Sequence, residues 1–173
     1  MATRILLEGR PGSGKSTVAV RLAELLEQRG TPVAGFVTRE LRERGRRVGF
    51  EVETLGGRRA ILAHTDLPGP PRVGKYGVDL EAFERVGLPP LERPPKAGVV
   101  LIDELGKMEL ASEPFRKAVS RLFDTAVDVV ATVHVFRHEL TDALKRRADV
   151  ERMRVTKASR DDLPRQLADR LAS

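Results

Sequence analysis

The segment Gly9-Arg10-Pro11-Gly12-Ser13-Gly14-Lys15-Ser16 constrains this chain more than any other, because it lies between a short apolar run and an amphipathic stretch. Its spacing, Gly-x4-Gly-Lys-Ser, is the Walker A pattern, which requires a strand before it and a helix after it. Both are expected here. Arg4 to Glu8 reads as the first strand, and Lys15 to Arg29 as a helix with Val18, Leu22, Leu25 and Leu26 on one face and Gly30 at its end. Gly9, Gly12 and Gly14 let backbone N–H groups curl around a phosphate at the positive helix end, Lys15 reaches the β and γ oxygens, and Ser16 can ligate Mg²⁺. Arg10, Pro11, Ser13 and Thr17 complete the candidate nucleotide-binding set.

The rest of the chain alternates apolar runs with helical patterns, which predicts a parallel sheet covered on both faces. Strands are expected at Pro32 to Thr38, Gly98 to Asp103, Val127 to His134 and near Arg152 to Thr156. Helices are expected at Glu113 to Phe123, around His138 to Arg147, and at the end of the chain on Leu163, Leu167 and Leu171, where Ser159 and Asp162 resemble a capping box. Val48, Phe50 and Val52 alternate with polar residues, Gly56-Gly57 supplies a turn, and Arg58 to Ala63 returns, so an antiparallel hairpin is expected beside the parallel sheet. Proline and glycine make Thr65 to Gly77 and Pro89 to Pro95 loops around a short helix at Leu80 to Arg85. The 173 residues, 40% hydrophobic, fit one domain spanning residues 1–173.

Composition removes several function classes. Cysteine is absent and only three histidines occur, which excludes a disulfide framework and a thiolate zinc site. With no cysteine the expected compartment is the cytoplasm, and the first apolar run, Ile5 to Leu7, is too short for a signal peptide or a membrane span. A net charge of +6 suits acidic partners such as nucleotides or nucleic acid. Aromatic residues make up only 4% of the chain, which argues against a single-strand surface built on base stacking.

A second match, Gly69-x4-Gly74-Lys75, ends in Tyr76 and so lacks the metal-binding hydroxyl; Pro70 and Pro71 also remove backbone donors. It is not a phosphate cradle, although Lys75 or Tyr76 is a candidate to touch the nucleotide. Val99-Val100-Leu101-Ile102-Asp103-Glu104 is an apolar strand ending in two acids, the Walker B arrangement: Asp103 for the metal shell, Glu104 for an attacking water. Lys107 follows closely enough to neutralise charge on a γ-phosphoryl group. If the strand ending at Thr132-Val133-His134 lies between the cradle strand and the Asp103 strand, Thr132 or, in preference, His134 points at the γ-phosphate as a sensor. Asp103-Glu104-Leu105-Gly106 also has the Asp-x-x-Gly form found in GTPases. Thr156-Lys157-Ala158-Ser159, however, lacks the aspartate of a guanine-reading Thr-Lys-x-Asp sequence, so base specificity is expected to be loose.

With these motifs in hand, residues 4 to 163 resemble the thermophilic and cancer-related nucleoside-triphosphatases. The resemblance rests on Gly9 to Ser16, Gly35-Phe36-x-Thr38-x-Glu40-x-Arg42, Val73-Gly74-Lys75-Tyr76-Gly77-Val78 and Ile102-Asp103-Glu104-Leu105-Gly106-Lys107-Met108-Glu109. It implies an α/β P-loop NTPase fold, a three-layer sandwich with a mostly parallel, RecA-like sheet and the inserted hairpin. It also implies Mg²⁺-dependent hydrolysis of several nucleoside triphosphates, and it makes Thr38, Glu40 and Arg42 site candidates, Arg42 as an arginine finger. The family's Asn-Arg-Asp is Ser159-Arg160-Asp161 here, which leaves Arg160 for the nucleotide. Two other readings stay open at this point. One is a nucleoside, nucleotide or RNA-end kinase in which Arg39 to Arg47 closes over an acceptor; the other is a nucleotide-switched module that binds nucleic acid or protein.

Overall fold

The computed structural model describes residues 2–172. In chain order the elements are β1 (Arg4–Glu8), α1 (Lys15–Gln28), β2 (Val33–Glu43), β3 (Arg46–Thr54), β4 (Arg59–His64), β5 (Arg72–Val73), β6 (Tyr76–Val78), α2 (Leu80–Gly87) and α3 (Pro89–Glu92). They continue with β7 (Val99–Leu105), a 3-10 turn (Glu109–Ala111), α4 (Glu113–Phe123), β8 (Asp128–Val133), α5 (Glu139–Arg146), β9 (Glu151–Arg154) and α6 (Leu163–Leu171).

The nine strands among the described residues form one sheet in the order β5-β6-β4-β3-β2-β7-β8-β1-β9. The five from β2 to β9 are parallel, with β8 inserted between β1 and β7. That insertion brings the ends of the cradle strand and the Asp103 strand to either side of Thr132 and Val133. The central strands are apolar on both sides because the sheet is covered twice. Ile5 and Leu7 pack with Val18, Leu22 and Leu26 of α1 and with Leu163, Leu167 and Leu171 of α6. Leu6, Ile102 and Ala131 face the other way, against α2 and α4.

The antiparallel part is larger than the single hairpin expected from the alternation of Val48, Phe50 and Val52. β2 runs on to Glu43 and pairs with β3, β3 pairs with β4, and β4 pairs with the small β5–β6 hairpin. Tyr76 and Gly77, expected in a loop, are buried strand residues. Two or three residues are too few to leave a period-two signal, so only the proline and glycine around them were readable. Nor does the expected capping box form: Asp162 makes no side-chain bond to α6, and the Ser159 hydroxyl accepts instead from the Thr156 amide at 3.0 Å.

The extension is clamped to the parallel sheet by three aromatic rings from three elements. Phe36 of β2 meets Phe83 of α2 edge-on at 5.6 Å, Phe83 meets Phe115 of α4 at 5.1 Å, and Phe36 lies 5.9 Å from Phe115. All three rings are fully buried. Such pairs add directional preference to the hydrophobic gain. Phe83→Ala is therefore expected to lose about 3–5 kcal/mol in denaturant unfolding and Phe83→Leu no more than about 1.5 kcal/mol; a Phe83→Leu loss as large as that of Phe83→Ala would mean that ring geometry, and not buried volume, holds α2.

Candidate active site

Strand, loop and helix at the amino end of the chain converge on one crevice of about 560 Å³. Its floor is the cradle, where Pro11, Gly12, Gly14, Lys15, Ser16 and Thr17 all face the opening. Gly14 caps α1 with φ 105, a left-handed conformation that side chains rarely adopt, and a Cβ there would also meet Cδ of Arg160 at 2.9 Å. At Gly9 the limit is space: a Cβ would meet the Ser13 Oγ at 2.5 Å and the Val155 carbonyl at 2.8 Å. Ser13 thus fills the inside of the turn, where its amide donates to the Arg10 carbonyl at 3.0 Å. Arg10 is exposed beside the opening and does not line it.

The Lys15 ammonium donates to the Val133 carbonyl at 3.1 Å and stands 3.9 Å from Oε2 of Glu104. Asp103 is buried, and its Oδ1 accepts from the Ser16 hydroxyl at 3.1 Å and from the Thr132 hydroxyl at 2.7 Å. The other oxygen, Oδ2, is buried without a hydrogen-bond partner. An orphaned carboxylate oxygen next to a serine that lines the crevice fits a hard divalent cation bound through oxygen. Burial raises the Asp103 pKa, against the Thr132 and Ser16 hydroxyls and the charge of Lys15. Glu104 is raised as well, by burial and by the negative charge of Asp103, while Lys15 opposes the shift. A carboxylate shifted upward is a better proton acceptor near neutral pH.

The walls come from elsewhere in the sheet. Thr38 and Glu40 of β2 and Phe50 of β3 form one side. His134, Val135 and Phe136, just past β8, form the other, and Arg160 closes the end beside Gly14. His134 is 6% exposed; its Nε2 is 3.1 Å from the Thr141 hydroxyl, and its Nδ1 is buried without a partner. Burial lowers its pKa to about 4, with the charges of Lys145, His138 and Lys15 acting in the same direction.

Arg42 and Lys107 also stand outside this lining. Arg42 is exposed on the β2–β3 hairpin, where its Nε and Nη2 donate to Oε2 of Glu40 at 3.0 and 2.8 Å and its Nη1 donates to the Gly45 carbonyl at 3.1 Å. Lys107 is exposed at the mouth, its Nζ 4.8 Å from the centre of the Phe136 ring. Lys75 and Tyr76 do not line the crevice either: the Tyr76 ring supports Phe50 edge-on at 5.3 Å, and its hydroxyl accepts from Nε of Arg47 at 3.0 Å. Phe50 and Phe136 went unrecognised as crevice residues in the sequence. Phe50 read only as part of an alternating strand, and Phe136 carried no signal beyond its place two residues after His134.

A family model described as NTPase matches residues 4–168. The nucleoside-triphosphatase THEP1 of Thermotoga sp. (strain RQ2) is 44% identical over 161 residues, covering 92% of this chain and 90% of that protein. The chain belongs to the NTPase family. Solved relatives have the same fold: the crystal structure of THEP1 from the hyperthermophile Aquifex aeolicus superposes with a TM-score of 0.87 at 32% identity, covering 98% of this chain and 99% of that one. The solution structure of a human cancer-related nucleoside triphosphatase gives 0.83 at 38% identity, with 97% and 96% covered. This NTPase-family chain accordingly has the P-loop α/β architecture expected from its motifs. Among the described residues, no helix is long and apolar enough to cross a membrane.

The neutral state of His134 has a consequence for stability. Between about pH 6.5, the ordinary imidazole value, and about 4, the unfolded chain binds a proton that the folded chain does not, so this group lowers stability as pH falls through that window. Urea unfolding of wild type and His134→Asn across the window should show the variant losing less stability on acidification; identical slopes would mean that His134 is not held neutral.

Proposed function

We propose that this protein hydrolyses nucleoside triphosphates to diphosphate and phosphate, with Mg²⁺ and with little preference for the base. The observation that carries the reading is the placement of Glu104. Its carboxylate lines the crevice 3.9 Å from the Lys15 ammonium, directly after the Asp103 that meets Ser16. Holding a triphosphate requires the cradle, Lys15 and a metal ligand; a second acid at this position adds a group able to orient and deprotonate water. The names of the relatives, nucleoside-triphosphatases, support the same activity.

Lys15 binds the terminal phosphates by charge, and the backbone amides at the start of α1 complete the cradle. Ser16 and Asp103 would hold Mg²⁺, whose chemistry there is charge neutralisation on the triphosphate oxygens. Glu104 aligns a water in line with the γ-phosphorus and takes its proton as the new P–O bond forms and the bond to the β-bridging oxygen breaks. Lys107 is the side chain we assign to charge developing on the γ-phosphoryl group: among the described residues it has no ion-pair partner, whereas Arg42 is tied to Glu40. We assign His134, a residue of the crevice lining whose buried Nδ1 has no protein partner, to a contact with a γ-oxygen.

Loose base selection follows from the far end of the crevice. Arg160 is there, but no acid accompanies it: Ser159 stands where a guanine-reading aspartate would be, and its hydroxyl is bound to Thr156. Asp161 lines a separate depression against α1, with Arg21 and Glu24.

Phosphate release measured over many turnovers with ATP, GTP, CTP and UTP tests this. The four substrates should agree in kcat/KM within about tenfold, because Ser159, where a guanine-reading aspartate would stand, is bound to Thr156. Chelation of Mg²⁺ should abolish turnover. Glu104→Gln should keep nucleotide binding while kcat falls about 10²- to 10⁴-fold, and Lys15→Ala should weaken binding itself. Wild-type-like turnover in Glu104→Gln would remove Glu104 from the chemistry.

A further inference from the structure

Lys107 carries its charge on a flexible stem at an exposed position, and nothing in its own segment fixes it. The three residues after β8 supply what is missing. The Phe136 ring stacks on the His134 imidazole, with centroids 3.2 Å apart and planes inclined by 19°. His134 is itself anchored through Nε2 to the Thr141 hydroxyl of α5, at 3.1 Å. The Lys107 ammonium stands over the Phe136 ring, 4.8 Å from its centre, and no carboxylate among the described residues competes for it in an ion pair. The ring also lines the phosphate crevice. A chain of contacts therefore runs from a packed helix, through an imidazole and a phenyl ring, to an otherwise unconstrained cation.

We propose that Phe136 is the positioning residue for Lys107, holding the ammonium at the crevice mouth through the face of its ring so that the charge is in place as the γ-phosphoryl group is transferred. The proposal rests on the assignment of Lys107 given above. The electron-rich face of a phenyl ring attracts an ammonium without neutralising it, which an acidic partner would do. A lysine held in this way keeps its full charge for the phosphate. Stacking on His134 fixes the plane of the ring, and this sets the direction in which the cation is held.

Fluorination of the ring separates this role from a structural one, because fluorine withdraws electron density from the ring face while nearly preserving its shape. Mono-, di- and trifluorinated phenylalanine are introduced at position 136, with and without Lys107→Ala, and kcat and KM for ATP are measured together with thermal unfolding. The expected result is a graded fall in kcat of about 3- to 30-fold across the series, with KM and melting temperature nearly constant and no fall in the Lys107→Ala background. Phe136→Leu should match the end of the series, and Phe136→Tyr should keep most of the turnover. A flat series in a protein that still needs Lys107 overturns the proposal and leaves the assignment of Lys107 intact. An equal fall in both backgrounds also overturns it, since the ring then acts without the cation. Undiminished turnover in Lys107→Ala overturns both.

Discussion

One carboxylate oxygen ties the active half of this molecule together. Oδ1 of Asp103, at the end of β7, accepts from Ser16 at the start of α1 and from Thr132 near the end of β8. These three residues come from distant parts of the chain, and they meet only because β8 lies between β1 and β7 in the sheet. With both hydroxyls committed to Oδ1, the serine that follows Lys15 is held against the acid before any ligand is engaged. The opposite oxygen is left for another partner. Hydrogen bonds to a charged, buried acceptor are among the stronger ones a protein makes, and here they also fix the register of the cradle against the strand ends.

Around this tie, burial acts on a run of acids. Asp103, Glu104 and Glu109 lie close in sequence, and the pKa of each is raised chiefly by burial. Glu109, behind the crevice in the 3-10 turn, is raised well above the usual carboxylate range, and the charges of Glu104 and Asp103 add to the effect of burial. Lys15 is the cation that opposes the shifts at Asp103 and Glu104. Buried acids whose pKa values are raised together cluster where chemistry is done.

Much of this was legible in the sequence because the decisive signals are local. Gly9 to Ser16 gives a strand, a loop and a helix within a few residues, and Val99 to Glu104 gives a buried strand with its acids at the end. The helix Glu113–Phe123 and the fully parallel core follow from periodicity and from runs of valine, leucine and isoleucine. What remained unread depends on pairing between distant segments. The β5–β6 hairpin is too short to show a period, and the contact between Phe50 and Tyr76 joins residues that nothing in either segment relates. Arg42 looked available in the sequence because the Glu40 two residues away has no visible direction; in an extended strand the two side chains share a face, and they bind one another.

β2 belongs to two ladders at once. Its first residues pair with β7 only as far as Phe36 opposite Ile102, while its pairing with β3 continues to the hairpin tip. Thr38 and Glu40 therefore lie beyond the β2–β7 ladder, paired in the sheet with Val52 and Phe50 of β3, and the space opened where β2 and β7 part company is the mouth of the crevice. The width of that mouth is a property of the antiparallel extension and not of the nucleotide-binding core. Lengthening, bending or repacking β3 and β4 would resize the opening while leaving the cradle, Asp103 and Glu104 where they are, so the same phosphate chemistry can be fitted with a wider or narrower entrance.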